Sequence, residues 1–444
     1  MTIQTEDGNH KTTKLDCIGK RAKFRPDTVF NNIGHVIDLN LLRESYRQLA
    51  GNKAVGIDGV TKASYGIKLE ENLQDLLARI RRNAYKPQVS RLVEIPKEDG
   101  STRPLAISCF EDKIVQQSVS QILTAIYEPD FLPCSYGYRE GINGHEALRA
   151  LMRHSINTPN GITIEIDLRK YFNSIPHDKL QEILREKISD KWFLKLLEKL
   201  IRSPIMVEGK AELNKIGCPQ GSITAPILSN IYLHHVMDKW FNTIRNSHLK
   251  GRAEMVRFAD DMVFVFQLKE DAEKFYKVLP KRLEKYGLKL HEEKSSMFRS
   301  GSMAASEADK RGERLPTYKF LGFTCYWGQS RNGWWRLKYK SRSDRLSSKI
   351  KGLRQYLRKR LTQETYKTLE QVKRIVKGWI NYHAISDNRR RVMSFILQSK
   401  QVLLSWINRK GGNRKMSWAK FNELLKRINY PDEIFKTTSM FTTC

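Results

Sequence analysis

An apolar, β-forming run, VRFADDMVFVF (residues 256–266), is interrupted at its centre by two adjacent aspartates. Ionised carboxylates are costly to desolvate in such surroundings. The run therefore reads as a hairpin, two strands with Asp260-Asp261 at the turn. Turns also take Asp for local hydrogen bonding, so the pair alone does not separate a structural from a chemical role.

A third carboxylate alters the balance. In GITIEID (161–167), Ile162, Ile164 and Ile166 share one strand face and Asp167 closes the strand on the other, 93 residues before the hairpin. Asp residues from adjacent strands are what two-metal phosphoryl transfer requires, with two ions ~3.5–4 Å apart. Mg²⁺ takes carboxylate oxygens and completes its shell with water and substrate phosphates. Asp167, Asp260 and Asp261 are thus the candidate catalytic residues and metal ligands, with two Mg²⁺ ions as cofactor and Mn²⁺ as a substitute.

The partner is indicated by charge. The 444 residues carry a formal net charge of +31, which calls for a polyanion. No apolar run reaches the roughly 20 residues a membrane span needs, and the polar N-terminus, MTIQTEDGNHKTTK, lacks the apolar core of a signal peptide. Nucleic acid remains, with no membrane partner and a cytoplasmic location as the expectation. Six scattered cysteines form neither a zinc pattern nor a disulfide framework.

Along the chain, residues 1–26 read as polar and disordered. Helical periodicity runs from Phe30 to about Asn83, with Val36, Leu39, Leu41, Leu42, Tyr46 and Leu49 on one face and Leu69, Leu73, Leu76, Leu77 and Ile80 on another. RLVEIPKEDGSTRPLAI (91–107) reads as a hairpin turning at Asp99-Gly100. YKFLGFTCYWG (318–328) and WWRLKY (334–339) read as a further strand pair. Residues 331–430 then hold 27 Lys/Arg against 5 Asp/Glu, a net of +22 in an otherwise helical texture. A domain boundary is expected near 330–340.

Asp167 is followed five residues later by Phe172, and FADD occupies 258–261. Here the chain resembles the reverse transcriptases, with Phe258 where Tyr is usual. That resemblance implies that Phe172 is the steric gate against a 2′-hydroxyl. It implies that Lys97 and Arg103 clamp the triphosphate, and that Gln220 and Gly221, in GCPQGSITAPILSNIYL (217–233), cradle the nascent base pair. Lys294, in GLKLHEEKS (287–295), would approach the triphosphate, and Phe320, Leu321 and Gly322 would steady the primer end. GIDGVT (56–61), SYGYREGINGHEAL (135–148, with Glu140 where Pro is common), GWINYHAISDNRRRVMSFILQS (378–399) and SWAKFNELLKRINYP (417–431) resemble segments of group II intron reverse transcriptase/maturases.

The implied fold is α+β, a right-hand polymerase followed by an all-α basic domain. Its expected parts are fingers with an N-terminal extension at 27–160, palm at 161–335, thumb at 336–376, an RNA-binding maturase domain at 377–432 and a tail at 433–444. Arg389, Arg390 and Arg391 are expected RNA contacts, and Trp379 and Trp406 expected core residues. Implied partners are structured intron RNA, an RNA template with a DNA primer, and dNTPs. With few residues after Tyr430, a member without endonuclease is expected, primed by a nick or a replication fork. A domesticated enzyme of phage defence or DNA repair, and a non-enzymatic splicing cofactor, stay open beside an intron-mobilising polymerase. Phe172 disfavours an RNA-dependent RNA polymerase. Oligomeric state is not readable.

Overall fold

A computed structural model describes residues 13–96, 102–411, 415–432 and 437–440. In chain order its strands are β1 (Arg91–Pro96), β2 (Thr102–Ile107), β3 (Gly161–Ile166), β4 (Pro204–Val207), β5 (Lys210–Leu213), β6 (Ala253–Phe258), β7 (Asp261–Phe266), β8 (Ser296–Ser300), β9 (Tyr318–Phe320), β10 (Phe323–Gln329) and β11 (Trp335–Ser341).

The organising layer is a four-stranded antiparallel sheet in the order β6-β7-β3-β8. Both faces are covered, and the central strand β7 accordingly reads as a continuous apolar run after Asp261, while its neighbour β3 alternates Ile162, Ile164 and Ile166 with Thr163 and Glu165. Ile164, Ile166, Met262, Phe264 and Phe266 enter the large core built with the N-terminal helices. Val256, Val263 and Val265 enter a second core, shared with the helix Gly144–Ile156 and the three-stranded sheet β11-β10-β9.

β1 and β2 form the expected hairpin, paired from Arg91↔Ile107 to Pro96↔Thr102. Its tip, including Lys97, lies outside the described residues. The β4–β5 hairpin has no counterpart in the sequence reading: it is only partly buried or exposed throughout and carries little periodic signal.

Three expectations need correction. Residues 14–24 are a helix rather than part of a disordered tail. Thr13 and Asp16 close a capping box at its start, and Ile18 and Ala22 are buried against the large core. The sheet extends through Ser341, so residues 336–341 belong to β11 and the helical region begins at Ser343. The expected division at 376/377 falls inside one continuous helix, Thr365–His383. Four helices (Ser343–Arg358, Thr365–His383, Arg389–Lys410 and Trp418–Arg427) share a single core from Leu346 to Tyr430, including the buried Trp379 and Trp406. No helix among the described residues is long and apolar enough to cross a membrane.

Candidate active site

The register of β3 on β7 brings the carboxylates together. Ile166 faces Met262, so Asp167, one step beyond the strand, comes level with Asp261 on the neighbouring chain segment. Opposed residues in such a pair have Cβ atoms roughly 4.5–5.5 Å apart. Phe258 pairs with Asp261 across a two-residue turn, Ala259-Asp260, with Ala259 in the left-handed region (φ +57°). Asp260 therefore sits in the turn and Asp261 opens the next strand. The backbone of Asp167 is held on both sides: its N–H donates to Ser295 Oγ (3.1 Å) and its carbonyl accepts from His291 N–H (2.9 Å).

The electrostatics record the crowding. Burial, then the charge of Asp167, raise Asp260 above the ordinary carboxylate range, while Arg103 and Arg257 pull it back. Asp261 is pushed up to about 7 by burial and by Asp260 and Asp167. Its side chain nevertheless opens onto solvent at the cleft floor, so bulk water tempers that rise. Glu165, two residues before Asp167 on the same strand face, is also raised to about 7, chiefly by burial.

Several sequence-nominated residues are tied to one another or to the carboxylates through neighbouring segments. Exposed Arg103 lies on β2, near enough for its charge to act on Asp260. Gln220 and Gly221 dock on the same strand: Ala106 N–H donates to Gln220 O (2.7 Å), and a Cβ on Gly221 (φ +103°) would meet Ala106 O at 2.6 Å. Gln220 Oε1 is buried with no hydrogen-bond partner among the described residues. Phe172 is half-buried in a short helix, Tyr171–Ser174, and its carbonyl accepts from Cys218 N–H (2.8 Å). This ties it to the same Pro-Gln-Gly segment. Lys294 is exposed in a 3₁₀ turn whose first flank, His291, holds Asp167.

Leu321 (φ +49°) and Gly322 (φ +80°) form the tight turn between β9 and β10, while Phe320 is buried beneath it. Leu321 and Gly322 join Asp261 in lining a cleft of about 600 Å³, whose other wall is Arg345, Lys349, Tyr382 and His383. In the sequence, Tyr382 and His383 read as aromatics of a basic helical surface suited to structured RNA, with core packing as the alternative. Instead Tyr382 donates to Leu321 O (2.8 Å) and stacks on His145 (centroids 5.3 Å apart), tying the helical region to the sheet. Arg389, Arg390 and Arg391 are not part of this cleft. They begin the helix Arg389–Lys410, with Arg389 and Arg390 exposed.

The sequence reading missed Arg257, Asp238 and Asn230, all fully buried behind the turn. One signal was available: an arginine within a strand otherwise built for burial, immediately before FADD.

Hard oxygen donors that repel one another suit a divalent cation, and a bound cation relieves the repulsion that raises Asp260 and Asp261. Among the described residues no three His, Cys, Asp or Glu side chains are gathered tightly enough to enclose an ion unaided. Mg²⁺ does not need such a cage, because one or two carboxylates serve when water and substrate phosphate supply the remainder.

Comparison with known proteins agrees with this geometry. Residues 95–325 match the family described as "Reverse transcriptase (RNA-dependent DNA polymerase)". The chain is 32% identical over 258 residues to the "Uncharacterized 91 kDa protein in cob intron" of Schizosaccharomyces pombe, which is 55% of this chain and 30% of that one. It is 33% identical over 245 residues to "Protein YkfC" of Escherichia coli (48% and 64%). It is 30% identical over 230 residues to "Group II intron-encoded protein LtrA" of Lactococcus lactis subsp. cremoris (51% and 38%). The chain thus spans less than two thirds of the length of each of these relatives. With more than half of its length matched by that family model, the chain belongs to the reverse transcriptase family.

Proposed function

We propose that this protein is an RNA-directed DNA polymerase that extends a primer on an RNA template and also binds intron RNA to assist splicing and mobility. The observation that carries the polymerase reading is the register that sets Asp167 level with Asp261, with Asp260 in the adjoining turn. Bound there, two Mg²⁺ ions would supply charge to activate a primer hydroxyl and stabilise leaving pyrophosphate. Arg103 beside Asp260 offers a planar, two-pronged cation to a triphosphate. Lys97 and Lys294 are assigned point-charge contacts, Gln220 and Gly221 the nascent pair, Phe172 the sugar, and Phe320 to Gly322 the primer end. In this reading β1–β2 belongs to the fingers, the four-stranded sheet to the palm and the helices after Ser343 to the thumb and maturase regions.

The splicing role is supported by the basic helical region. Three arginines open the helix Arg389–Lys410 with no acid in its first turn. Positive side chains there oppose the helix dipole, a cost that a phosphate of structured RNA would offset.

Asp167→Ala and Asp260→Ala proteins, assayed for dNTP addition on an annealed primer–template, should lose extension by about 10²- to 10³-fold or more, on the order of the loss when a charge-stabilising group is removed from an active site. Their affinity for structured RNA should stay within about twofold, since most of the net positive charge, +22 of +31, lies in residues 331–430. Substantial synthesis by Asp260→Ala protein would sink the assignment.

A further inference from the structure

Arg257 is a fully buried arginine on β6, three residues before Asp260. Its side chain has five N–H donors, and every one is used. Nε and Nη2 grip Asp238 bidentately (2.7 and 2.6 Å). Nη1 donates to Asn230 Oδ1 (3.0 Å) and to the carbonyl of Ala259 (3.1 Å). Nη2 also donates to Ser135 Oγ (2.6 Å). The backbone of Arg257 is held as well: its N–H donates to Cys134 O (2.8 Å), and its carbonyl accepts from Tyr136 N–H (2.8 Å).

The contact with Ala259 O gives this network a bearing on the site. Ala259 holds a left-handed φ that a residue with a Cβ adopts only under constraint, and its carbonyl belongs to the peptide leading into Asp260. Rotation of that peptide would re-aim Asp260. Gly137 closes the other side, since a Cβ on it would come within 2.3 Å of Ala259 N, and Asn230 Nδ2 donates to the Gly137 carbonyl (2.7 Å). Asn230 therefore bridges both clamps. Asp238 reaches the guanidinium from a π-helical stretch, His234–Lys239, a local distortion that often marks functional sites. An apolar set of similar volume could fill this space at no loss of stability. It could not hold a carbonyl in place.

We propose that Arg257, Asp238 and Asn230 form a positioning network that fixes the Ala259–Asp260 peptide and thereby sets how tightly the carboxylate turn takes a divalent cation. The inference rests on the reading of Asp260 and Asp261 as cation ligands. Arg257 touches no reacting atom in it and acts through the turn. Asp238 neutralises the guanidinium and aims it, and Asn230 links it to the segment bearing Gly137.

The test uses the full chain with Arg257→Lys, Asn230→Ala and Ser135→Ala. The last two each remove one partner and leave the ion pair intact, so they decide the matter even where Arg257→Lys does not fold. Mn²⁺ binding is read by electron paramagnetic resonance on metal-free protein without nucleotide, beside thermal melting and the Mg²⁺ dependence of primer extension. Loss of a group that orients metal ligands weakens metal binding about 10- to 100-fold. We expect that for Arg257→Lys and Asn230→Ala, with a smaller effect for Ser135→Ala. Half-maximal extension should shift to correspondingly higher Mg²⁺, with RNA affinity within about twofold. Folded variants whose Mn²⁺ and Mg²⁺ curves superimpose on the parent's would overturn the proposal, and a lowered melting temperature with unmoved metal curves would reduce the network to a structural role. A parent protein that neither binds Mn²⁺ through Asp260 nor extends a primer would remove the polymerase reading itself, and the proposal with it.

Discussion

Phe172 packs edge-on against Tyr171 (centroids 5.4 Å apart), and its carbonyl is pinned by Cys218. In the proposed reading this ring limits the space beside the sugar. Phe172→Ala should therefore relax discrimination against ribonucleotides roughly 10- to 100-fold, the range a contact with one small group commands. The ratio of kcat/KM for dNTP and rNTP checks this, and an unchanged ratio would remove Phe172 from the gate. Gly221 makes a sharper case. It combines φ +103° with a backbone oxygen 2.6 Å from where a Cβ would stand. Gly221→Ala must push the Pro-Gln-Gly segment off β2, so extension should fall at least about tenfold, with strain of about 1–3 kcal/mol visible in thermal melting. Parent-like extension and melting would show that the segment is free to move.

At the scale of elements, the helix Thr365–His383 meets the sheet through Tyr382 on Leu321 and through the ring of His383, which packs on Phe323 of β10 (centroids 5.3 Å apart) and stacks on Trp379 of its own helix (4.0 Å). Burial, assisted by the nearby charges of His145, Arg345 and Lys349, lowers His383 to about 4. The folded protein thus keeps this imidazole neutral down to a pH at which the unfolded chain has already protonated it. The unfolded state binds more protons between pH 6.5 and 4. Stability from this group is complete above that window and is lost on acidification through it, by up to about 1.4 kcal/mol per pH unit. His383→Phe should flatten that segment of the stability–pH curve; parallel curves for variant and parent would refute a neutral buried His383.

For the molecule as a whole, charge is divided unequally. Residues 331–430 hold +22 of the +31, and these fall mostly in a helical unit with its own core. Binding to structured RNA should accordingly weaken with salt, log K falling by roughly 0.7–0.9 per phosphate contact for each decade of salt. Replacing Arg389, Arg390 and Arg391 together by Gln should weaken RNA binding and lower that slope by up to about 2–3, while nucleotide addition on a short primer–template changes little. Unchanged affinity and slope would leave the triplet as a solvated helix start.

What was legible from residue order is what near neighbours decide. An apolar β-forming run broken by two acids pointed to the β6–β7 hairpin, helical spacing of Leu69, Leu73, Leu76, Leu77 and Ile80 to the helix Leu69–Arg81, and the net charge to a polyanionic partner. The three carboxylates could be nominated from the sequence because each ends an apolar run, where an ionised group is out of place without a task. Their meeting could not be derived from it. Whether Asp167 stands level with Asp261 depends on the register of β3 against β7, set by which faces of both strands are buried by distant helices, and a slip of one residue would turn Asp167 to the opposite face. Arg257 makes the same point. By composition it is one more cation among 79 Lys/Arg, and only the fold surrounds it with Asp238, Asn230, Ser135 and Ala259 O, drawn from segments up to 122 residues away. Local propensity and pattern are properties of short stretches and survive in the bare sequence. Desolvation and long-range pairing arise only when remote segments close around a group, so the tertiary structure alone decided which charges became a site.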